Sequence, residues 1–198
     1  MDNVYFSKKM EEMRNGINKY LFIMNNLNSV DVSVYKSEFQ TKFNGFYRVR
    51  QRSEDWYKTY FAILERNKSN AFLGFYDVLF EMYNEFDRVE TSFSSKLLHT
   101  VNPNMPIYDS KVIEALSISK IQGDNRFEKA LNNYKMLCDK YAKYFQTPNC
   151  SNAIMMFDTY FPEYANEISD VKKIDFFLWI FSKRELEELN VFAELLGE

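Results

Sequence analysis

The sequence predicts an all-α protein, and three of its features indicate this fold class. Glycine and proline, which most often interrupt helices, number only five and four in 198 residues. Apolar residues recur three and four positions apart over long stretches, which is the spacing of one helix face. Hydrophobic residues make up 46% of the chain, so a sizeable core can form. We therefore expect a multi-helix array, either a single helical domain covering residues 1–198 or two small, closely packed lobes.

The first half of the chain predicts four helices. Ser53 begins the third of them, because acidic residues follow it in the first turn. Gly45 interrupts the chain after the second helix, and Gly74 lies inside the fourth. The stretch FYRVRQR, residues 46–52, alternates charged and apolar residues and is either extended or an irregular connection. The predicted helices cover residues 4–27, about 31–43, 53 to a turn at 67–70, and about 71–85.

The second half predicts six more helices. Asn102-Pro103 ends the first of these, and Asp109 caps the second. Gln122-Gly123-Asp124 ends that second helix, while Pro148-Asn149 and Pro162 mark later breaks. The predicted helices cover residues 93–101, 110 to the break at 122–124, 127–145, 151–161, 171–181 and 184–196.

The charge of the chain is weakly acidic overall but unevenly distributed. A net charge of −3 and an isoelectric point near 5.4 are not typical of a general nucleic-acid binder, which usually carries a basic excess. Residues 42–58, however, hold five basic side chains against two acidic ones, whereas residues 185–198 hold five glutamates. An acidic tail helix can therefore hide a local basic face in the total charge.

The cysteines, the histidine and the N-terminus exclude several classes of protein. Cys138, Cys150 and a single histidine do not make a zinc-binding set, so we expect two ordinary thiols in a reducing compartment and no metal or other cofactor. The N-terminal MDNVYFSKKMEEM has no apolar signal core, and no stretch approaches about 18 consecutive apolar residues. These features predict a cytoplasmic protein without a membrane span.

The stretch SFSSKLLHTVNPNMPIYDSKV, residues 92–112, places a lysine and a carboxylate around a proline-punctuated loop. Asp109 would accept amide hydrogen bonds as a helix N-cap at the mouth of that loop. Lys96 lies near the start of the preceding predicted helix, and a helix–loop–helix return can bring the two together. The residues alone leave two interpretations open: a cap beside a solvated surface lysine, or a pair placed for chemistry. His99 is interpreted as a packed or hydrogen-bonded histidine.

Three pieces of this stretch follow one another in a familiar order: Lys96-Leu97-Leu98, Pro106-Ile107-Tyr108-Asp109 and Ser110-Lys111-Val112. They resemble the catalytic segment of the helix-hairpin-helix DNA glycosylase superfamily, in which a lysine opens a helix and a loop ending in Pro-apolar-Asp leads to the next helix. Over most of residues 30–181 the chain resembles a bacterial 8-oxoguanine DNA glycosylase-like group. Further pieces that carry this resemblance are Phe46-Tyr47-Arg48-Val49-Arg50, Trp56, Tyr60-Phe61, Lys172-Lys173-Ile174-Asp175 and Trp179.

The resemblance implies two small helical lobes around a cleft, with the catalytic helix–loop–helix at about 90–120. The chain departs from the family pattern before the lysine, where Ser92, Ser94 and Ser95 stand in place of a glycine-rich hairpin. Those glycines normally let backbone N–H groups approach a DNA phosphate, so a weaker or reshaped clamp is expected. The spacing from Lys96 to Asp109 is also shorter than usual, and the step from proline to aspartate has one extra residue.

The resemblance implies excision of a damaged or otherwise modified base from double-stranded DNA by base flipping, in repair or in defence against modified phage DNA. Asp109 would support the positive charge that develops at C1′ of the sugar. If Lys96 is placed as in bifunctional members, it would attack C1′, form a Schiff base and add lyase activity. If it is not, Asp109 would orient a water molecule and only the base would leave.

The same resemblance suggests which residues contact the DNA, and we expect a monomer to do so. Aromatic faces hold a flipped base, but in a chain with 18% aromatic residues each of these rings is also a candidate for the core. Candidate base-pocket residues are Phe46, Tyr47, Trp56 and Trp179. Candidate DNA-binding residues are Arg48, Arg50, Arg52, Ser94, Ser95 and Lys111; in an extended piece the three arginines would share one face.

Two other functions compete with this hypothesis. The acidic isoelectric point and the missing glycines favour a catalytically inactive module on the same fold, which would bind DNA or a protein. The aromatic excess is also compatible with a helical protein–protein interaction domain.

Overall fold

The computed structural model describes residues 2–118 and 125–196, and in those ranges all regular structure is helical. The all-α prediction is therefore confirmed. No helix among these residues combines the length and apolar character needed to cross a membrane. The elements are α1 Asn3–Asn26, α2 Glu38–Tyr47, α3 Glu54–Asn67, α4 Phe75–Phe86, α5 Thr91–Val101, α6 Ser110–Ala115, α7 Arg126–Tyr144, α8 Pro148–Tyr160, a 3₁₀ turn Pro162–Tyr164, α9 Asp170–Ile180, α10 Lys183–Glu188 and α11 Ala193–Leu196.

The chain divides into two compact units. The first unit is Met1–Asn15 together with Pro103–Glu198, and the second is Gly16–Asn102. The continuous helix α1 contributes its first part to one unit and its second part to the other. Each unit has its own buried side chains.

The core of the second unit is built from aromatic rings on α2, α3 and α5. The indole of Trp56 stacks on the ring of Tyr60, with centroids 4.9 Å apart and planes 11° from parallel. The hydroxyl of Tyr60 donates a hydrogen bond to the carbonyl of Phe93 on α5 at 3.1 Å. Phe43 and Phe61 meet edge to face at 5.2 Å, so α2 and α3 are joined through the same cluster.

The core of the first unit gathers around α8 and α9. The ring of Phe157 on α8 lies 6.4 Å from that of Phe177 on α9, and Phe177 in turn lies 5.3 Å from Phe192. The buried Tyr144 on α7 donates its hydroxyl hydrogen to the carbonyl of Val191. These contacts bring α7, α8, α9 and the start of α11 into one apolar cluster.

Most helices begin with a side chain that accepts a backbone N–H from the first turn, as short polar residues do at N-caps. Ser53 caps α3 as predicted, accepting from the N–H of Trp56 at 3.2 Å. Equivalent caps are Ser37, Asn125, Thr147, Ser169 and Ser182.

Several predicted boundaries were wrong. Gly45 lies inside α2 rather than ending a helix, and α2 itself starts only at Glu38. Gly74 is the N-cap of α4, because its N–H is held by the carboxylate of Asp77 at 2.9 Å. Pro148 occupies the first turn of α8, where its missing N–H costs nothing. The single helix predicted for residues 184–196 is divided into α10 and α11.

The predicted end of α6 at Gln122-Gly123-Asp124 lies outside the described residues, and α6 as described ends at Ala115. The stretch 48–52 is an irregular connection rather than an extended one. Arg48 and Gln51 both adopt left-handed backbone conformations, with φ of 55° and 58°. The arginines of this stretch therefore do not alternate along a strand.

The aromatic core of the second unit predicts a sharp contrast between two phenylalanines. Phe61 is fully buried, whereas Phe72 is 95% exposed. We expect Phe61→Ala to lower the free energy of unfolding by about 3–5 kcal/mol, because it leaves a cavity among packed rings. Phe72→Ala, the matched control, should change it by no more than about 0.5 kcal/mol. Urea unfolding followed by circular dichroism measures both, and equal effects would contradict the assigned core.

Candidate functional site

Asp109 lies where the loop from Pro103 enters α6. Its backbone is extended, with φ −113° and ψ 150°, and its Oδ1 accepts the N–H of Lys111 at 3.0 Å. This hydrogen bond makes Asp109 the N-cap of α6, as predicted. The residue is half-buried, so it is still accessible at the surface of the first unit. The position of its carboxylate depends on the contacts that hold the loop before α6.

Two side-chain hydroxyls hold the carbonyl groups of that loop. Ser169 donates its hydroxyl hydrogen to the carbonyl of Pro103 at 2.7 Å, and Tyr134 donates to the carbonyl of Pro106 at 2.9 Å. Burial raises the pKa of Tyr134 far above its usual range, so this phenol stays a hydrogen-bond donor. Ser169 also caps α9 by accepting the N–H of Lys172. The carbonyl of Pro103 is thereby held at the start of α9, and the carbonyl of Pro106 is held by α7.

Lys111 and Trp179 lie beside Asp109 in the first unit. The ammonium group of Lys111 is 4.7 Å from the centroid of the Trp179 ring and donates a hydrogen bond to the Trp179 carbonyl at 3.1 Å. This cation–π contact joins α6 to α9. Lys111 thus contacts Asp109 through its backbone N–H and Trp179 through its side chain, and the sequence selected all three residues. It also covers one face of the Trp179 ring with Lys111.

A buried ion pair lies on the same face of α9, one turn before Trp179. Nζ of Lys172 is 2.6 Å from Oδ2 of Asp175, and both side chains are only 4% exposed. Tyr141 on α7 is buried nearby, and burial together with the negative charge of Asp175 raises its pKa well above the usual range. Lys172 and Asp175 carry part of the family resemblance, but no role was predicted for either residue. The sequence does mark them, because charged residues interrupt the otherwise apolar run of α9.

Lys173, the next residue, is held by two carboxylates. Its ammonium group lies 2.7 Å from Asp158 on α8 and 3.2 Å from Asp170 at the start of α9. The pair with Asp158 ties α8 to α9 below a shallow groove lined in part by Ser151 and Met155. Both lysines of α9 are therefore internal cations rather than DNA-facing ones.

Lys96 was placed wrongly by the sequence analysis. It lies in the middle of α5, which begins five residues earlier at Thr91, so it does not open a helix. It is 7% exposed, and its ammonium group is 5.5 Å from the centroid of the Phe93 ring. The interpretation of Lys96 as a solvated surface lysine is wrong. It belongs to the second unit, whereas Asp109 belongs to the first.

The two serines predicted to contact phosphate are also internal. Ser94 and Ser95 are fully buried on α5, and the hydroxyl of Ser95 donates to the carbonyl of Ser92 at 2.9 Å. Because buried hydroxyls cannot meet a DNA backbone, their predicted role is wrong for this conformation. His99 on the same helix is fully buried, with its ring 5.7 Å from that of Tyr20, as expected for a packed histidine.

The three arginines have different environments. Arg48 and Arg50 are exposed, whereas Arg52 is half-buried. Arg52 lies 3.2 Å from a carboxylate oxygen of Glu90, and its guanidinium is 5.2 Å from the centroid of the Trp56 ring. The contact of Arg52 with phosphate stays a prediction, and in this structure its guanidinium is paired with Glu90.

Two of the four candidate base-pocket rings belong to the core of the second unit. Trp56 is stacked between Tyr60 and Phe86, and Tyr47 is buried, with its hydroxyl oxygen accepting from Thr100 at 3.3 Å. Their predicted role as stacking platforms is wrong, because other side chains already occupy their faces. Phe46 and Trp179 are half-buried.

The buried pair on α9 leads to a stability prediction. Asp175→Leu should lower the free energy of unfolding by about 3–5 kcal/mol, because the buried Lys172 ammonium then lacks its Asp175 carboxylate. The double variant Lys172→Met/Asp175→Leu should recover most of that loss, since apolar side chains of similar size often replace a buried pair at little cost. Urea unfolding of the two variants measures the difference. A double variant as unstable as the single one would contradict the pairwise account.

The site is thus defined by its own geometry. No family model, curated protein or solved structure matches the chain.

Proposed function

We propose that the protein is a DNA glycosylase that releases a modified base from duplex DNA. The observation that carries the proposal is Asp109: a half-buried carboxylate that caps α6 at the end of a Pro-Ile-Tyr-Asp loop, with its N-cap hydrogen bond in place. The resemblance to the helix-hairpin-helix glycosylase superfamily assigns the catalytic carboxylate to this position. The two hydroxyl anchors of the loop support the proposal, because a catalytic group must be held rigidly.

In the proposed reaction the modified nucleotide is flipped out of the duplex, and the bond between its base and C1′ stretches. Positive charge then develops on the sugar, and the carboxylate of Asp109 stabilises it. A water molecule adds its oxygen to C1′, the electron pair of the glycosidic bond leaves with the base, and the proton that the water loses is balanced by a proton taken up by the departing base. The products are the free base and an abasic site.

The environment of Asp109 suggests how DNA approaches it. Lys111 is exposed, and a phosphate could compete with the Trp179 carbonyl and ring for its ammonium group. Displacing Lys111 would also uncover the face of Trp179 that a flipped base needs. The exposed Arg48 and Arg50 of the second unit are the other phosphate contacts in the proposal.

We favour base release by water over lyase chemistry. A Schiff base requires the amine of Lys96 to reach C1′, but Lys96 is buried in the middle of α5 and only 7% exposed. Asp109, in contrast, reaches the surface of its unit, where water is available.

A second function has specific support. Ser94 and Ser95 are buried, so two of the six expected DNA contacts are absent from the surface, and Arg52 is paired with Glu90. These facts favour a module on the same fold that does not cleave the glycosidic bond and binds a protein or DNA. Any binding of duplex DNA through the exposed Arg48, Arg50 and Lys111 would fall steeply with salt and would yield no abasic site.

The decisive substitution is Asp109→Asn. An asparagine caps a helix nearly as well as an aspartate, so the fold should be retained. We expect base release to fall by about 10²-fold or more, because the negative charge facing the sugar is lost. The assay is a panel of end-labelled duplexes, each with one modified base, treated with alkali after incubation with protein.

The matched control is Asp77→Asn, which changes another carboxylate that accepts a backbone N–H at a helix start, in the second unit. It should leave base release unchanged. Full activity of Asp109→Asn would sink the assignment of the catalytic carboxylate. A wild-type protein that binds duplex DNA but releases no base from any member of the panel would favour the binding module.

The choice between water and Lys96 has its own test. With a duplex from which the protein releases a base, borohydride should trap no covalent complex, and strand breaks should appear only after alkali. If borohydride does trap a complex and Lys96→Gln prevents it, the lyase route replaces the water route. The substitution should in either case be checked by circular dichroism, since Lys96 is buried.

A further inference from the structure

A stripe of aromatic side chains is exposed along α4 of the second unit. Phe72, Tyr76, Phe80 and Tyr83 are 95%, 53%, 47% and 39% exposed. Tyr76, Phe80 and Tyr83 are spaced by four and three residues, so they follow one side of α4, and Phe72 lies in the turn before the helix. The opposite side of α4 faces the core through Phe75, Val78, Leu79 and Met82.

This stripe differs from ordinary exposed apolar residues, which are scattered singly over protein surfaces. The rings of Tyr76 and Phe80 are stacked, with centroids 5.8 Å apart and planes 6° from parallel. An ordered, contiguous aromatic row on a folded helix marks an interaction surface. From Tyr76 to Tyr83 the row spans about two helical turns, which is enough for a partner helix to pack along it.

The charges beside the stripe identify the kind of partner. Residues 71–87 contain Asp77, Glu81, Glu85 and Asp87 but no lysine or arginine, and the exposed Arg88 follows directly. Arg66 on α3 lies 2.5 Å from a Glu81 oxygen and 3.8 Å from a Glu85 oxygen, and so offsets only part of this negative charge. The border of the stripe is therefore acidic.

An acidic border repels DNA phosphates and anionic lipid headgroups, although aromatic rows can stack bases in a basic groove. It also disfavours a second copy of the chain, because a symmetric contact would bring two acidic borders together. The complementary surface is a helix with apolar side chains on one face and lysine or arginine at its edges.

We propose that the aromatic stripe on α4 is the docking site for a basic amphipathic helix of a partner protein. The apolar face of that helix covers the four rings, and its basic edge pairs with Asp77, Glu85 and Asp87. This surface does not involve Asp109, so it stands whether or not the protein excises bases.

The test uses two fluorescent helical peptides of about 15 residues, one made of leucine and lysine and one of leucine and glutamate, each with its leucines on one face. At low ionic strength the leucine–lysine peptide should bind the full chain, and the leucine–glutamate peptide should bind at least about tenfold more weakly. Tyr76→Ser/Phe80→Ser should weaken the binding of the leucine–lysine peptide about tenfold or more. Glu85→Gln/Asp87→Asn should weaken it and reduce its dependence on salt.

The matched control is Val34→Ser/Met155→Ser, which removes two exposed apolar side chains that are not part of the stripe and should leave binding unchanged. All three variants change exposed residues, and urea unfolding confirms that they fold. The proposal is overturned if wild-type protein does not bind the leucine–lysine peptide, if the aromatic variant binds it as well, or if both peptides bind equally. Dimerisation, or binding to duplex DNA, that disappears in the aromatic variant would assign the stripe to that occupant instead.

Discussion

The arrangement of the first unit depends on how the loop from Pro103 to Tyr108 satisfies its backbone carbonyls. A buried carbonyl that loses its hydrogen bond to water and gains no other donor costs about 1–3 kcal/mol of stability. In this loop the carbonyls of Pro103 and Pro106 accept hydrogen bonds from side-chain hydroxyls. Ser169 has a double function, since it donates to the Pro103 carbonyl and accepts the N–H of Lys172. The start of α9 and the path of the loop are therefore coupled, and the position of Asp109 follows from both.

The elements were predictable where a local signal has one meaning. A serine followed by acidic residues begins α3, and an aspartate before an apolar run begins α6, because short acceptors satisfy free amides of a first turn. Gly74 and Pro148 were misjudged because each residue type has two meanings. Glycine can interrupt a helix or stand at its N-cap, and proline can break a helix or begin one, so the surrounding packing decides.

The site was less predictable than the fold because burial decides what a side chain can do. Residues 94–100 of α5 are buried without interruption, so the polar residues of this helix are buried together with its apolar ones and do not mark a solvent-exposed face. For this reason the sequence pattern did not indicate the environment of Lys96 and of the two serines. The N-cap position of Asp109 was predicted correctly because it depends on a local contact, with the N–H of a residue two positions along the chain. The ion pair of Lys172 with Asp175 was not predictable in this way, because its burial depends on neighbouring helices.

The two exposed features of the second unit carry opposite charges. Arg48 and Arg50 lie in an irregular connection that keeps them in solvent, whereas the aromatic stripe of α4 lies in a segment with four acidic and no basic residues. A polyanion is attracted to the first feature and repelled by the second, and the reverse holds for a basic helix. Because opposite fields would select them, the two proposed partners, DNA and a basic helix, would not compete for one surface. The weakly acidic net charge of the whole chain conceals this division, which becomes visible only when each charge is assigned to its place in the fold.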